Sequence, residues 1–269
     1  MRSSVALSLA VLALAGCAPR QVPTVVAAPE PALYVETYGT TPAAQVRTLA
    51  IVLHGDAPIA PPSYQYDAAR AFAAAVPASA VVAILRPGYT DAAGHVSPGI
   101  RGLTTGDNYT ADRIAAIADA IAILRRRYPL AKTVLIGHSG GAALAADLAG
   151  TRAGLVDGLV LVACPCMLDE FRGGMDKLRP GVGFAAPVES LDPLQTVGGI
   201  APATRTAIIV GADDPITPPA LSRGYAEALA LRGVATDFRI LPGKGHEILD
   251  DPETVAALQR LAASLPRTP

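Results

Sequence analysis

Five short, uninterrupted apolar runs most constrain what this chain can fold into: residues 49–53, 81–85, 133–136, 159–163 and 207–210. Each is dominated by β-branched and aliphatic residues, and each meets Gly, Pro or His within two residues of its end. A strand with one solvated face alternates apolar and polar side chains. A continuous apolar run of this length is instead buried on both faces, which requires helices on both sides of a parallel sheet. Residues 238–241 form a more mixed run, as expected nearer a sheet edge, and residues 33–38 are expected to pair antiparallel at the opposite end. Helical patterns fill the intervals. Residues 64–76 are Ala-rich and stop at Pro77, and residues 110–128 place Ile114, Ile117, Ile121 and Leu124 on one face. The latter segment opens with Thr110 and Asp112 and closes with Arg125, Arg126 and Arg127 before Pro129, matching the helix dipole at both ends. Further helices are expected over 140–148, 219–231 and 252–265. Strands alternating with helices predict the α/β class, a mostly parallel sheet with helices on both faces. Residues 167–202, rich in Gly and Pro and without a clear period, read as an inserted loop or short cap.

The chain has 269 residues, 51% of them hydrophobic and 17% charged, enough for one sizeable core over residues 33–269 with the last element ending near Leu265. A net charge of −1, no Trp and 4% aromatics argue against a nucleic-acid partner. The N-terminus differs in kind. Arg2 precedes an apolar stretch over 5–15, and Leu14-Ala15-Gly16 sets small residues directly before Cys17. Residues 1–16 read as a signal peptide, too short to span a bilayer as a permanent helix. The arrangement resembles the lipobox of bacterial lipoproteins. That resemblance implies that Cys17 becomes the lipidated first residue, attached to the membrane through a Pro-rich tether over 17–32 that carries Pro19, Pro23, Pro29 and Pro31. It also implies the bacterial cell envelope as location, facing the periplasm or the exterior. Ala18 rather than Asp after the cysteine points to the outer membrane where the host has one. Cys164 and Cys166 flank Pro165. A ring closed across one residue would be strained, so they are expected to be reduced. No second Cys or His cluster accompanies them, and no metal or cofactor is expected.

Chemistry concentrates at three strand ends. Gly137-His138-Ser139-Gly140-Gly141 follows the run 133–136 and opens the helix expected from residue 140. A Ser held in such a tight strand-to-helix turn needs flanking residues without bulk, and the helix N-terminus aims its free N–H groups at the hydroxyl. A hydroxyl needs a base to become a nucleophile. Of the four His, His246 sits in a Gly-flanked loop after the last strand. His138 adjoins the Ser with its ring expected to point away, His54 ends an earlier strand in a structural role, and His95 lies in a loop. Asp213 and Asp214 follow the run 207–210, so two carboxylates reach the same sheet edge.

Ser after one strand, acid after a later one and His after the last resembles the order of α/β-hydrolases, whose acid loop is similar to Gly211-Ala212-Asp213-Asp214-Pro215-Ile216-Thr217-Pro218 here. The resemblance implies Asp214 as the acid, with Asp213 the alternative, better suited to capping the helix over 219–231. It implies an oxyanion hole formed by the N–H of Gly140 and by that of Asp56 in His54-Gly55-Asp56, with Gly55 the alternative donor. The Asp56 carboxylate is then expected to turn outward, away from developing negative charge. Arg86-Pro87-Gly88-Tyr89 and Asp107-Asn108-Tyr109 are expected to approach the cleft or to serve only as turn and helix-start residues. The implied activity is hydrolysis of an ester, thioester or amide through an acyl-enzyme, on a small acyl or peptide substrate. The contrasting expectation is a non-catalytic envelope-binding lipoprotein that keeps the fold.

Overall fold

The computed structural model describes residues 30–58 and 60–266, so the expected signal peptide, Cys17 and most of the tether lie outside the described residues. Seven strands form one sheet among the described residues: β1 (Val35–Tyr38), β2 (Thr48–Leu53), β3 (Ser79–Ile84), β4 (Lys132–His138), β5 (Gly158–Val162), β6 (Arg205–Gly211) and β7 (Thr236–Leu241). Their order across the sheet is β1-β3-β2-β4-β5-β6-β7. β1 runs antiparallel to β3 at one edge, and all other neighbours are parallel.

The continuous apolar runs have the anticipated consequence. Every residue of β2 and β3 is buried. Leu49, Ile51 and Leu53 join one core, whereas Ala50 and Val52 join the other. The first core is closed by α2 (Ala111–Arg127), α3 (Gly140–Thr151) and α6 (Pro219–Leu231); the second by α1 (Tyr64–Ala75) and α7 (Pro252–Ser264). Each fully buried Leu or Ile contributes roughly 1.5–3 kcal/mol relative to exposure. Among the strand positions that are not buried, all but Lys132 and Arg205 lie in β1 and β7, the two edges. α3 is the most enclosed helix, with Gly140 to Ala149 buried without interruption.

One expectation is narrowed and another corrected. Of the two readings of residues 167–202, loop or short cap, the second holds: α4 (Leu168–Leu178) and the single turn α5 (Pro193–Thr196) lie within them. Gly173 and Gly174 obscure the pattern, but Leu168, Phe171 and Met175 recur at i, i+3 and i+7 and bury one face of α4. The two cysteines are not reduced. Cys164 and Cys166 are joined in a disulfide, both fully buried. Ala163, at φ 50, turns the chain at the end of β5, and the Cα atoms of the two cysteines lie 5.1 Å apart. That separation falls inside the roughly 4.4–6.8 Å that a disulfide spans.

Candidate active site

β4 delivers Ser139 to α3 through a turn that only small neighbours permit. A Cβ on Gly137 would lie 2.2 Å from the Gly141 carbonyl oxygen, and one on Gly141 would lie 2.3 Å from that of Leu53. Ser139 itself sits at φ 53, ψ −124, a backbone state that costs a non-glycine residue on the order of 1–3 kcal/mol. Its N–H donates to the Val162 carbonyl at 2.8 Å, tying the turn to β5. Ser139 is nearly buried and opens onto a cavity of 380 Å³, whose wall also includes His246, Tyr64, Met175 and Ile216.

His246 and Asp214 meet at the same sheet edge. His246 Nδ1 is 2.8 Å from Asp214 Oδ2. The Asp214 side chain is fully enclosed, and its carboxylate is saturated locally. Oδ1 accepts the N–H groups of Ile216 and Thr217, each at 2.9 Å, and Oδ2 accepts the Thr217 hydroxyl at 2.6 Å. Burial pushes the pKa of this carboxyl up, but hydrogen bonding and attraction to His246, with the Thr217 donors, outweigh it and hold the group below its ordinary value. An ionised Asp214 demands the proton on Nδ1 and leaves Nε2 as the base atom. No direct hydrogen bond joins Ser139 to His246 among the described residues; such bonds often tighten only when substrate is present. Asp213 is exposed, and its N–H donates to the Lys244 carbonyl at 2.9 Å. It does not cap α6, whose N-cap is Pro218 with no side-chain cap bond, because the intervening acid-loop turn is closed by Asp214 instead.

The loop after β2 corrects a further expectation. The Asp56 carboxylate does not turn outward. It is 1% exposed, lies against Gly140, and accepts from Arg86 Nη2, the Gly106 N–H and the Tyr109 hydroxyl, each at 2.9 Å. Its negative charge is neutralised from behind by Arg86, whose side chain is equally buried. The physical reason is that a paired, fully hydrogen-bonded carboxylate can be enclosed, whereas an unpaired one cannot. Arg86 and Tyr109 therefore reach the site through Asp56, while Asp107 turns back on its own loop to accept from the N–H groups of Leu103 and Thr104. The Gly55 N–H is engaged by the Tyr64 hydroxyl oxygen at 2.6 Å, which removes Gly55 as an open donor. Among the described residues the N–H groups of Asp56 and Gly140 have no acceptor.

Two histidines are fixed in neutral form. His54 accepts the Arg86 N–H at Nε2 and donates from Nδ1 to the Gly55 carbonyl; burial first, then Arg86, lowers its pKa well below the ordinary value. His138 bonds the Tyr64 hydroxyl through Nδ1 at 2.8 Å and the His246 carbonyl through Nε2 at 3.0 Å, and burial brings its pKa down to about 4. Sequence reasoning gave neither Tyr64 nor His138 a part in the site. Their contacts span 74 and 108 residues, which no local pattern encodes. Ligand atoms of His138, His246 and Glu247 lie within 4.8 Å of one another, but both His138 nitrogens are already committed to hydrogen bonds, so the group does not make a good metal centre.

A family profile described as alpha/beta hydrolase fold matches residues 80–183, a span that includes Ser139 but stops short of Asp214 and His246. No curated protein matches the sequence. Solved structures do. The monoacylglycerol lipase of Paleococcus ferrophilus is 20% identical, with 86% of this chain and 98% of that one covered at a TM-score of 0.58. Esterase B of Lactobacillus rhamnosis is 16% identical, with 85% and 81% covered and a TM-score of 0.63. The acylaminoacyl peptidase of Pyrococcus horikoshii is 13% identical at a TM-score of 0.58, with 84% of this chain but only 38% of that longer one covered. At such identities the likeness is one of architecture, and it agrees with the strand order found here: the chain has the α/β-hydrolase fold.

Proposed function

We propose that this protein is a serine hydrolase that cleaves an ester, thioester or amide through an acyl-enzyme. One observation carries the reading: a strained Ser139 shares a cavity with His246, whose Nδ1 is held by an enclosed, ionised Asp214. In this scheme Ser139 Oγ attacks the substrate carbonyl carbon while His246 Nε2 takes the hydroxyl proton. The tetrahedral oxyanion is met by the N–H groups of Gly140 and Asp56, both without an acceptor among the described residues. The imidazolium, stabilised by Asp214, passes its proton to the departing alkoxide, thiolate or amine. Water then attacks the acyl-enzyme with His246 again as base, releasing the acid and restoring Ser139. A carboxylic ester is favoured over a peptide, because Pro61, Met175 and Ile216 give the cavity apolar walls suited to a small acyl group.

The test is direct. A fluorophosphonate probe should label the wild-type chain and not Ser139→Ala, and a chromogenic acyl-ester panel should be turned over faster than X-Pro or aminoacyl arylamides. Absence of both labelling and turnover in folded wild-type protein would leave the fold serving a binding role. The reading extends to location: the Leu14-Ala15-Gly16-Cys17 sequence supports a lipid anchor on Cys17 in the bacterial envelope. Cys17→Ser should release active protein from the membrane fraction or stall its processing. Wild-type protein found entirely in the cytoplasm with residues 1–16 still attached would refute the anchor.

A further inference from the structure

The loops after β2 and β7 meet over the sheet edge although three strands, β4, β5 and β6, separate their parent strands. A chain of hydrogen bonds crosses between them, and its protons can be assigned in only one way. The Gly55 N–H donates to the Tyr64 phenol oxygen at 2.6 Å. The phenol has one hydrogen of its own, and His138 Nδ1, 2.8 Å away, accepts it, because the neutral ring must keep its single proton on Nε2 to face a carbonyl that can only accept. A neutral imidazole that accepts at Nδ1 carries its proton on Nε2, and that N–H points at the His246 carbonyl 3.0 Å away. The strut thus begins at the peptide just before the open Asp56 N–H and ends on the backbone of the base. It passes beside Ser139, since a Cβ on Gly55 would stand 3.0 Å from Ser139 Cβ and 3.1 Å from the Tyr64 hydroxyl. The rings of His138 and His246 are 5.0 Å apart, so any displacement of one is felt by the other.

We propose that Tyr64 and His138 are positioning residues that hold one oxyanion donor, the Asp56 N–H, in register with the His246 imidazole. The inference rests on the serine-hydrolase reading above. Neither residue touches the reacting atoms; they act through Gly55 and through the His246 main chain. Both ends of the strut lie on loops, where a misplacement of about 1 Å can cost up to 100-fold in rate. Loss of the strut should therefore appear in kcat rather than in KM.

The experiment uses the full chain, a chromogenic short-chain ester and fluorophosphonate labelling. Tyr64→Phe and His138→Leu should each lower kcat about 10- to 100-fold with KM little changed, and should slow labelling of Ser139 in parallel. The double variant should be scarcely worse than the poorer single one, because both break the same strut. His138→Gln places an amide N–H where imidazole Nε2 stood and should recover much of the lost kcat. A residue that served only packing would lower the melting temperature and would gain nothing from Gln. Should His138→Leu fail to fold, Tyr64→Phe, which removes a single hydroxyl, decides by itself. Tyr64→Phe with kcat within twofold of wild type, or His138→Gln no better than a folded His138→Leu, overturns the positioning role. Failure of the underlying reading is separately visible, since it appears as a wild-type chain that is neither labelled nor active.

Discussion

Asp213 and Asp214 are chemically identical neighbours, and their surroundings alone separate them. Asp214 is enclosed by three donors and His246; the Asp213 side chain faces solvent. Asp214→Asn should lower kcat by about four orders of magnitude, through loss of the Nδ1–H tautomer and its charge partner. Asp213→Asn should leave steady-state rates within about twofold, in line with ordinary surface substitutions. Reversal of the two effects in side-by-side kinetics would show the acid misassigned. Arg86 carries the sharpest stability prediction. It and Asp56 are each 1% exposed and 2.9 Å apart, so Arg86→Met strands a buried carboxylate beside Gly140. Breaking such a pair costs about 3–5 kcal/mol, to be read from urea unfolding, whereas Arg86→Met combined with Asp56→Asn should recover part of it. That Ser139, Asp214 and His246 share one sheet edge was legible because each lies within five residues of a strand end, in a Gly- or Pro-marked loop. The enclosed Asp56 charge was not, since its partners Arg86, Gly106 and Tyr109 lie 30, 50 and 53 residues away.

Helices and strands were read to within a few residues wherever a single period ran unbroken. α6 spans Pro219–Leu231 as expected, and α2 differs from its expected bounds by one residue at each end. The two misses have separate causes: two adjacent glycines hid α4, and α5 is a single turn held by its Asp192 cap rather than by any period. The packing of α3 against α5 also contains a titratable group. Asp147 Oδ1 accepts the Thr196 hydroxyl at 2.8 Å, and its other oxygen has no partner among the described residues. Burial raises this carboxyl to about 8, an effect the Thr196 bond only partly offsets. The folded chain therefore holds a proton that the unfolded chain releases near the ordinary carboxylate value of about 4. Stability from this group is complete below about pH 4, declines as pH rises, and is lost above about pH 8. Denaturant midpoints measured between pH 5 and 8 should fall with rising pH, and Asp147→Asn should flatten that slope. An unchanged slope in the variant would assign the effect elsewhere.

At the scale of the molecule, double burial of the central strands dictated the layering, and chain order dictated which loops share an edge. Neither could specify how closely the layers approach. That information lies in Gly137 and Gly141, which press the start of α3 onto β2 with no room for a methyl group. A chain starting at Leu33 keeps every strand, both cores and the candidate site, and should fold and retain full ester turnover in a soluble assay. Loss of turnover on that truncation would assign residues 1–32 a part in the active fold. The tight seat of α3 also divides the cavity into an immovable jaw and an exchangeable one. The Ser139 side is locked to the sheet by backbone contacts that tolerate no added atom, while Met175 and Arg179 meet the cavity from the cap and from no strand. Natural or laboratory drift toward new substrates has the second jaw to work with and not the first. Libraries built at Met175 and Arg179 should yield folded variants with altered acyl-chain preference, whereas the same diversity at Gly137 or Gly141 should yield insoluble protein.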